Sequence, residues 1–206
     1  ANHAIRLDCR SLEYNYVPLD LKGLKIVLLN TNVKHSLASS EYNTRRMECE
    51  RAVSLVKAKY PEVNSLRDIS LHQLEELVKD ADDIAYKRAK FIVEEIERLL
   101  SACVDLQNGD IIALGKKMFQ THDGLSREYE VSCKELDWLA DAVRNNDAVL
   151  GARMMGGGFG GCTINLVKEE AVEDLIESLS ATYEKEMQLP LTAYVAKIGQ
   201  GAERIK

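Results

Sequence analysis

The residues most able to do chemistry in this chain sit in one short stretch, Met155-Gly-Gly-Gly-Phe-Gly-Gly-Cys162. Five of the six residues at 156–161 are glycine. Glycine loses more backbone freedom on folding than any other residue, so such a run needs a physical reason. One reason is a path through positive φ. Another is close backbone approach, with N–H groups turned inward to form a nest for a phosphate or other anion. A tight glycine hairpin holding no ligand satisfies the same spacing, and at this level both readings stand. Gly156, Gly158 and Gly161 formally match G-x-G-x-x-G, but that fingerprint must follow a strand and open a helix. Here residues 149–155 read as a strand, and residues 162–167 alternate and are rich in β-branched side chains, so a second strand follows. The dinucleotide reading is therefore rejected. No G-x-x-x-x-G-K-[ST] occurs, so there is no Walker loop.

Elsewhere the chemistry is sparse. The four histidines, His3, His35, His72 and His122, stand apart, and none has metal-ligand spacing or a nucleophile beside it. His122-Asp123 reads as a surface helix pair, and the many carboxylates read as solvated helix faces. The five cysteines are scattered, odd in number and without a C-x-x-C, which points to reduced intracellular thiols. No catalytic group and no metal ligand is nominated from residue types alone. The net charge is −6 with acids and bases interspersed, which argues against nucleic acid and anionic membranes as partners. No apolar run is long enough to span a membrane, and there is no signal peptide.

The elements that must position the glycine run are legible from periodicity. Residues 3–9 alternate, 14–19 offer a partner strand, and 25–30 form an apolar run suited to a buried strand. Residues 31–46 pass from a polar turn into a helix, continued by Cys49, Ala52, Val53 and Val56. A helical block follows. Ser70 with Gln73, and Ser132 with Glu135, have capping-box spacing. One long stripe runs through Ala85, Ala89, Ile92, Ile96, Leu99, Cys103 and Leu106 until Asn108-Gly109 breaks it. Another helix is expected from about residue 110 to 125, and another through Leu136, Leu139, Ala140 and Val143. After the glycine run, Val172, Leu175, Ile176, Leu179 and Tyr183 predict a last amphipathic helix, and 192–198 a terminal strand. With 206 residues and 46% hydrophobic content, one domain over 1–206 is the default. The expected class is α+β: an antiparallel sheet from segments near Ile5, Val27, Leu150, Ile164 and Val195, helices on one face, and a helical block inserted between the second and third segments. The chain opens in mid-strand at Ala1, so a piece of a longer protein is expected.

Two stretches together carry a resemblance. Residues 155–166, Met-Gly-Gly-Gly-Phe-Gly-Gly-Cys-Thr-Ile-Asn-Leu, resemble the third motif of the GHMP small-molecule kinases in its galactokinase form. Residues 30–46, with Ser-Leu-Ala-Ser-Ser-Glu-Tyr-Asn-Thr-Arg-Arg at 36–46, resemble the galactokinase strand, loop and helix that follow the catalytic region. Residues 8–13 and 129–137 resemble the same family, in the same order. The glycine motif marks the superfamily, and the 36–46 stretch is specific to galactokinases.

The resemblance implies a ferredoxin-like GHMP C-terminal domain and a two-lobed cytoplasmic enzyme. In that enzyme the γ-phosphate of Mg2+·ATP passes to the anomeric hydroxyl of galactose, with ATP and Mg2+ held mainly by an N-terminal lobe. It implies that Tyr42 contacts the sugar. It also implies that Gly156, Gly157, Gly158, Gly160 and Gly161 support the loop beside the ATP phosphates, and that Lys34 and His35 are neighbours of the site. The family's sugar-binding N-terminal segment, its Gly/Ser-rich ATP loop and its aspartate base have no counterpart in these residues, so the chain alone is expected to be inactive. Met155 departs from the threonine of many relatives. Two alternatives remain: a galactose and ATP sensor without turnover, and a kinase for a related sugar such as N-acetylgalactosamine.

Overall fold

The computed structural model describes residues 2–33, 38–199 and 201, with the backbone alone at 38–40. Strands β1 (His3–Leu7) and β2 (Tyr14–Pro18) pair antiparallel, His3 opposite Pro18 and Leu7 opposite Tyr14. They form a two-stranded sheet of their own. This corrects the expectation that the segment near Ile5 joins the main sheet. Alternation specifies an extended strand with two faces but leaves its partner open. The hairpin rests on the helical block through Val17, and its tip is pinned by Arg67 on Asp8 and Arg10 on Asp68, each at 2.9 Å.

The main sheet contains the other four predicted segments. Strand β3 (Leu24–Asn30) lies between β5 (Cys162–Lys168) and β6 (Thr192–Ala196), and β4 (Val149–Met154) pairs with the other side of β5. The order is β4-β5-β3-β6, all antiparallel. Between β3 and β4 come α1 (Ala38–Lys57), α2 (Leu71–Leu77), α3 (Asp83–Gln107), α4 (Ile111–Arg127) and α5 (Lys134–Val143). After β5 comes α6 (Val172–Met187). The class is α+β as expected, with the helical insertion where periodicity placed it.

One sheet face, with Val27, Leu29, Ala152 and Val167, packs on Leu139 and Val143 of α5 and on Leu175, Leu179 and Tyr183 of α6. Helix α4 runs against β4, the strand at the end of the sheet. There the backbones touch: a Cβ on Gly151 would come within 2.5 Å of Gly115 Cα. A second core, from Ala52 and Val56 through Val63, Leu74 and Val78 to Ala85, Ala89 and Val93, joins α1, α2 and α3.

Local signals fared unevenly. The Ser70–Gln73 capping box forms. The Ser132–Glu135 box does not, because the helix starts one residue later and Cys133 is its N-cap. In α3 the buried set is Ala85, Arg88, Ala89, Phe91 and Val93, while Leu99 is about half exposed. The apolar stripe there outlasts the core it faces. All five cysteines are free, and burial pushes the thiols of Cys49, Cys133 and Cys162 up. Among the described residues no helix is long and apolar enough to cross a membrane.

Candidate functional site

The glycine run forms the loop between β4 and β5. Positive φ occurs at Gly156 (82°), Gly158 (85°), Phe159 (58°), Gly160 (129°) and Gly161 (84°). The conformational reason for the run therefore holds. Phe159 is the residue with a Cβ in that series. Its ring packs in a small core with Val131, Leu136 and Met154, which holds it in a conformation side chains disfavour.

Gly158 carries a second demand. A Cβ there would lie 1.9 Å from the carbonyl oxygen of Val131. The same oxygen accepts a hydrogen bond from the Phe159 N–H at 2.7 Å. The loop is thus docked on the backbone of residue 131. At its far end the Thr31 N–H and hydroxyl both donate to the Gly161 carbonyl at 2.9 Å, tying it to the end of β3. At its near end the Met155 N–H donates to Cys162 O. Gly156 and Gly157 differ from the rest: both are exposed, and a Cβ on either would meet nothing within 4 Å. Their bare backbone is open to solvent.

What holds residue 131 in place is a group of charges, two arginines and one of the carboxylates expected on a solvated helix face. Arg45, Glu48 and Arg88 are all buried. Arg45 donates through Nε to Tyr129 O at 2.7 Å and through Nη2 to Glu130 O at 2.9 Å. Arg88 donates to Glu48 Oε2 at 3.0 Å, to Glu130 Oε2 at 2.7 Å and to the carbonyl of Glu128. Buried guanidiniums are tolerated when their N–H groups find partners, and these find backbone carbonyls as well as carboxylates. Together they clamp α1 and α3 to residues 128–130 and so fix the seat of the glycine loop.

The Glu130 carboxyl is held down at about 2, against an ordinary 4.5, by Arg88 first and Lys87 second. A depressed carboxyl pKa stabilises the fold above its unfolded value, and that stability is lost as pH falls through the folded value. Chemical denaturation between about pH 4.5 and 2 should therefore show falling stability, and Glu130→Gln should flatten part of that fall. Glu130 is 44% exposed, so solvent screening keeps the difference small. A Glu130→Gln profile parallel to the parent's would remove this carboxylate from the account.

His122 is the second correction. It is 2% exposed, so it is no surface residue, and Asp123 pairs with Arg144 at 2.7 Å instead. His122 Nδ1 accepts the Met154 N–H at 3.1 Å, filling an outward-pointing donor of the end strand just before the glycine loop. An Nδ1 that accepts carries no proton, which puts the ring proton on Nε2. Nε2 lies 3.2 Å from Asp137 Oδ1 but too obliquely for a good hydrogen bond. Burial alone would raise the Asp137 carboxyl, and contacts from His122, Ser132 and Ser126 outweigh it to leave it lowered. Periodicity could not reveal this residue, because it sits on a helix face turned toward a strand end.

Tyr42 lies on the second turn of α1, half exposed, one helical turn before Arg45. It is close enough to Tyr129 to contribute to raising that phenol's pKa, although burial is the larger cause. Lys34 and His35 lie outside the described residues. Among the described residues no group of three or more His, Cys, Asp and Glu is placed to hold a metal ion.

Residues 102–185 match the family described as GHMP kinases, C terminal. A galactokinase of Clostridium acetobutylicum is 43% identical over 204 residues, 98% of this chain and 52% of that protein. A galactokinase of Thermotoga neapolitana is 41% identical, over 99% of this chain and 56% of that protein. The chain thus spans about half the length of these curated relatives. The crystal structure of Lactococcus lactis galactokinase complexed with galactose superposes with a TM-score of 0.91 at 34% identity, over 99% of this chain and 53% of that one.

Proposed function

We propose that this chain, whose residues 102–185 match the GHMP kinase C-terminal family, is the C-terminal lobe of an ATP-dependent galactokinase making galactose 1-phosphate. The observation that carries the reading is the glycine loop: docked at Val131 and Thr31, open at Gly156 and Gly157. The likeness to galactokinases over nearly the whole chain supports the choice of sugar.

The residues present fit a nucleotide phosphate in one respect, a stretch of exposed bare backbone at 156–157. ATP, when bound, supplies the phosphoryl group. Phosphoryl transfer depends mainly on positioning and electrostatics, so this lobe's share is to shape one wall of the cleft. Gly158, Gly160 and Gly161 hold the loop's path, and Gly156 and Gly157 border the phosphates. Tyr42 faces the sugar, where its phenol hydrogen-bonds a hydroxyl and its ring covers an apolar face. Lys34 and His35 adjoin the cleft. The catalytic base, the main ATP contacts and Mg2+ belong to the N-terminal lobe, so residues 1–206 form one domain that works only beside it.

The test is a chimera in which this chain replaces the matching half of the Clostridium acetobutylicum galactokinase. Galactose-dependent ADP release at roughly 1–100 per second is expected, with none from the chain alone. In the same assay Tyr42→Phe, which removes one hydroxyl contact of about 0.5–1.5 kcal/mol, should raise the KM for galactose roughly two- to tenfold and leave the KM for ATP unchanged. A folded chimera that ignores galactose, or turns over N-acetylgalactosamine in preference, would sink the assignment. A KM change for ATP alone would move Tyr42 to the nucleotide side.

A further inference from the structure

The β1–β2 hairpin turns its apolar side outward. Register puts His3, Ile5 and Leu7 on one face with Tyr14, Tyr16 and Pro18 opposite them. Ile5, Leu7, Tyr14 and Tyr16 are 53–63% exposed. The other face offers Ala4, Arg6, Asn15 and Val17, of which Val17 alone is buried. A free-standing hairpin would be expected to do the reverse, burying the large side chains and wetting the small and polar ones. The outward face is also organised: the Tyr14 and Tyr16 rings meet edge to face at 5.5 Å, and His3 meets Tyr16 at 5.8 Å. Two strands alone are marginal, and each leaves one edge free to accept another strand.

We propose that this face is the seat of the N-terminal lobe, with the hairpin completing that lobe's layer while its tip stays pinned to this one. The inference rests on the galactokinase reading, because it takes its occupant from the relatives. These carry about as much chain again as the matched part, with 52% and 56% of their length covered. Two halves of one polypeptide need an apolar seam, and among the described residues this is the one sheet face that sets four large apolar side chains side by side at more than half exposure. The tip explains how the hairpin keeps its place while serving the other lobe. Arg10 bonds Ser65 and Asp68, and Arg67 bonds Asp8. These ion pairs fix the hairpin to the helical block from its far end and leave the apolar face free.

The experiment takes the folded chimera described above with a protease site between its halves, cuts it, and measures by light scattering and titration whether the halves stay associated. A one-to-one complex is expected. The double variant Ile5→Lys with Tyr16→Glu gives these register partners opposite charges, so it should weaken the complex at least about a hundredfold while shifting the melting temperature of this chain alone only slightly. Leu99→Asp, at an exposed apolar site on α3, should weaken nothing. No complex, a complex indifferent to the hairpin variant, or a homodimer of this chain that the variant dissolves would each overturn the proposal. The readout is association, so a complex that forms but fails to phosphorylate galactose would count against the enzymatic reading and leave the interface standing.

Discussion

Gly158→Val should cost the chain roughly 2–6 kcal/mol, with a fall in its urea midpoint to match. Two costs add. A β-branched residue at φ 85° carries about 1–3 kcal/mol of backbone strain. Its Cβ would also lie 1.9 Å from Val131 O, and the clash must be relieved by moving a backbone that is itself held by Arg45 and Arg88, at about another 1–3 kcal/mol. Gly156→Ala supplies the control. Gly156 has nearly the same φ, 82°, but open space where the Cβ would go, so about 1–2 kcal/mol of strain is all it should lose. Equal losses in the two variants would show that the contact with Val131 does not matter and that conformation alone explains the run.

The contrast between those two glycines marks how far the sequence could be read. The density of glycine, and the strands either side of it, announced a loop through positive φ between two strands. They did not tell Gly158, pressed on a carbonyl, from Gly156, open to solvent, because that difference lies at Val131, far earlier in the chain. The helical block was legible from its apolar repeat, the Ser70–Gln73 capping box and the Asn108-Gly109 stop, while the N-caps Asp82 and Asp110 of α3 and α4 emerge only in the structure. What periodicity missed were polar residues inside the stripes. Arg88 occupies a position of α3 that an apolar residue would fill, and its pairing with Glu48, 40 residues away, leaves no trace in either helix. The hairpin was legible as two partner strands and misread only in being joined to the main sheet, since strands advertise their faces but not the sheet they belong to. Tyr42 came from resemblance alone. Nothing about a tyrosine on an exposed helical turn distinguishes it from any other.

Arg88→Met tests whether the buried charges are what seat the glycine loop. Methionine matches the aliphatic stem of arginine and keeps α3 packed, but it removes every guanidinium bond. Glu48 then keeps only Arg45, at 3.4 Å, the carbonyl of Glu128 loses its donor, and Glu130 keeps Lys87 at 2.7 Å with Arg45 at 4.0 Å. Leaving a buried charge without its partner costs about 3–5 kcal/mol, well beyond a surface ion pair. That loss should appear in urea denaturation of the chain. A second substitution, Glu48→Met, should return part of it, because an apolar pair of similar volume no longer strands a charge. The expected coupling is about 0.5–3 kcal/mol. The loop supplies an independent reading. With 128–130 held by Arg45 alone, Val131 O should hold the Phe159 N–H less firmly, and that amide should exchange with solvent faster in Arg88→Met than in the parent. Stability within about 0.5 kcal/mol of the parent would put these charges in the class of ion pairs that contribute nothing measurable. A large loss with Phe159 still protected would separate the two roles: the network would stabilise the helices while the glycine loop keeps its seat without it.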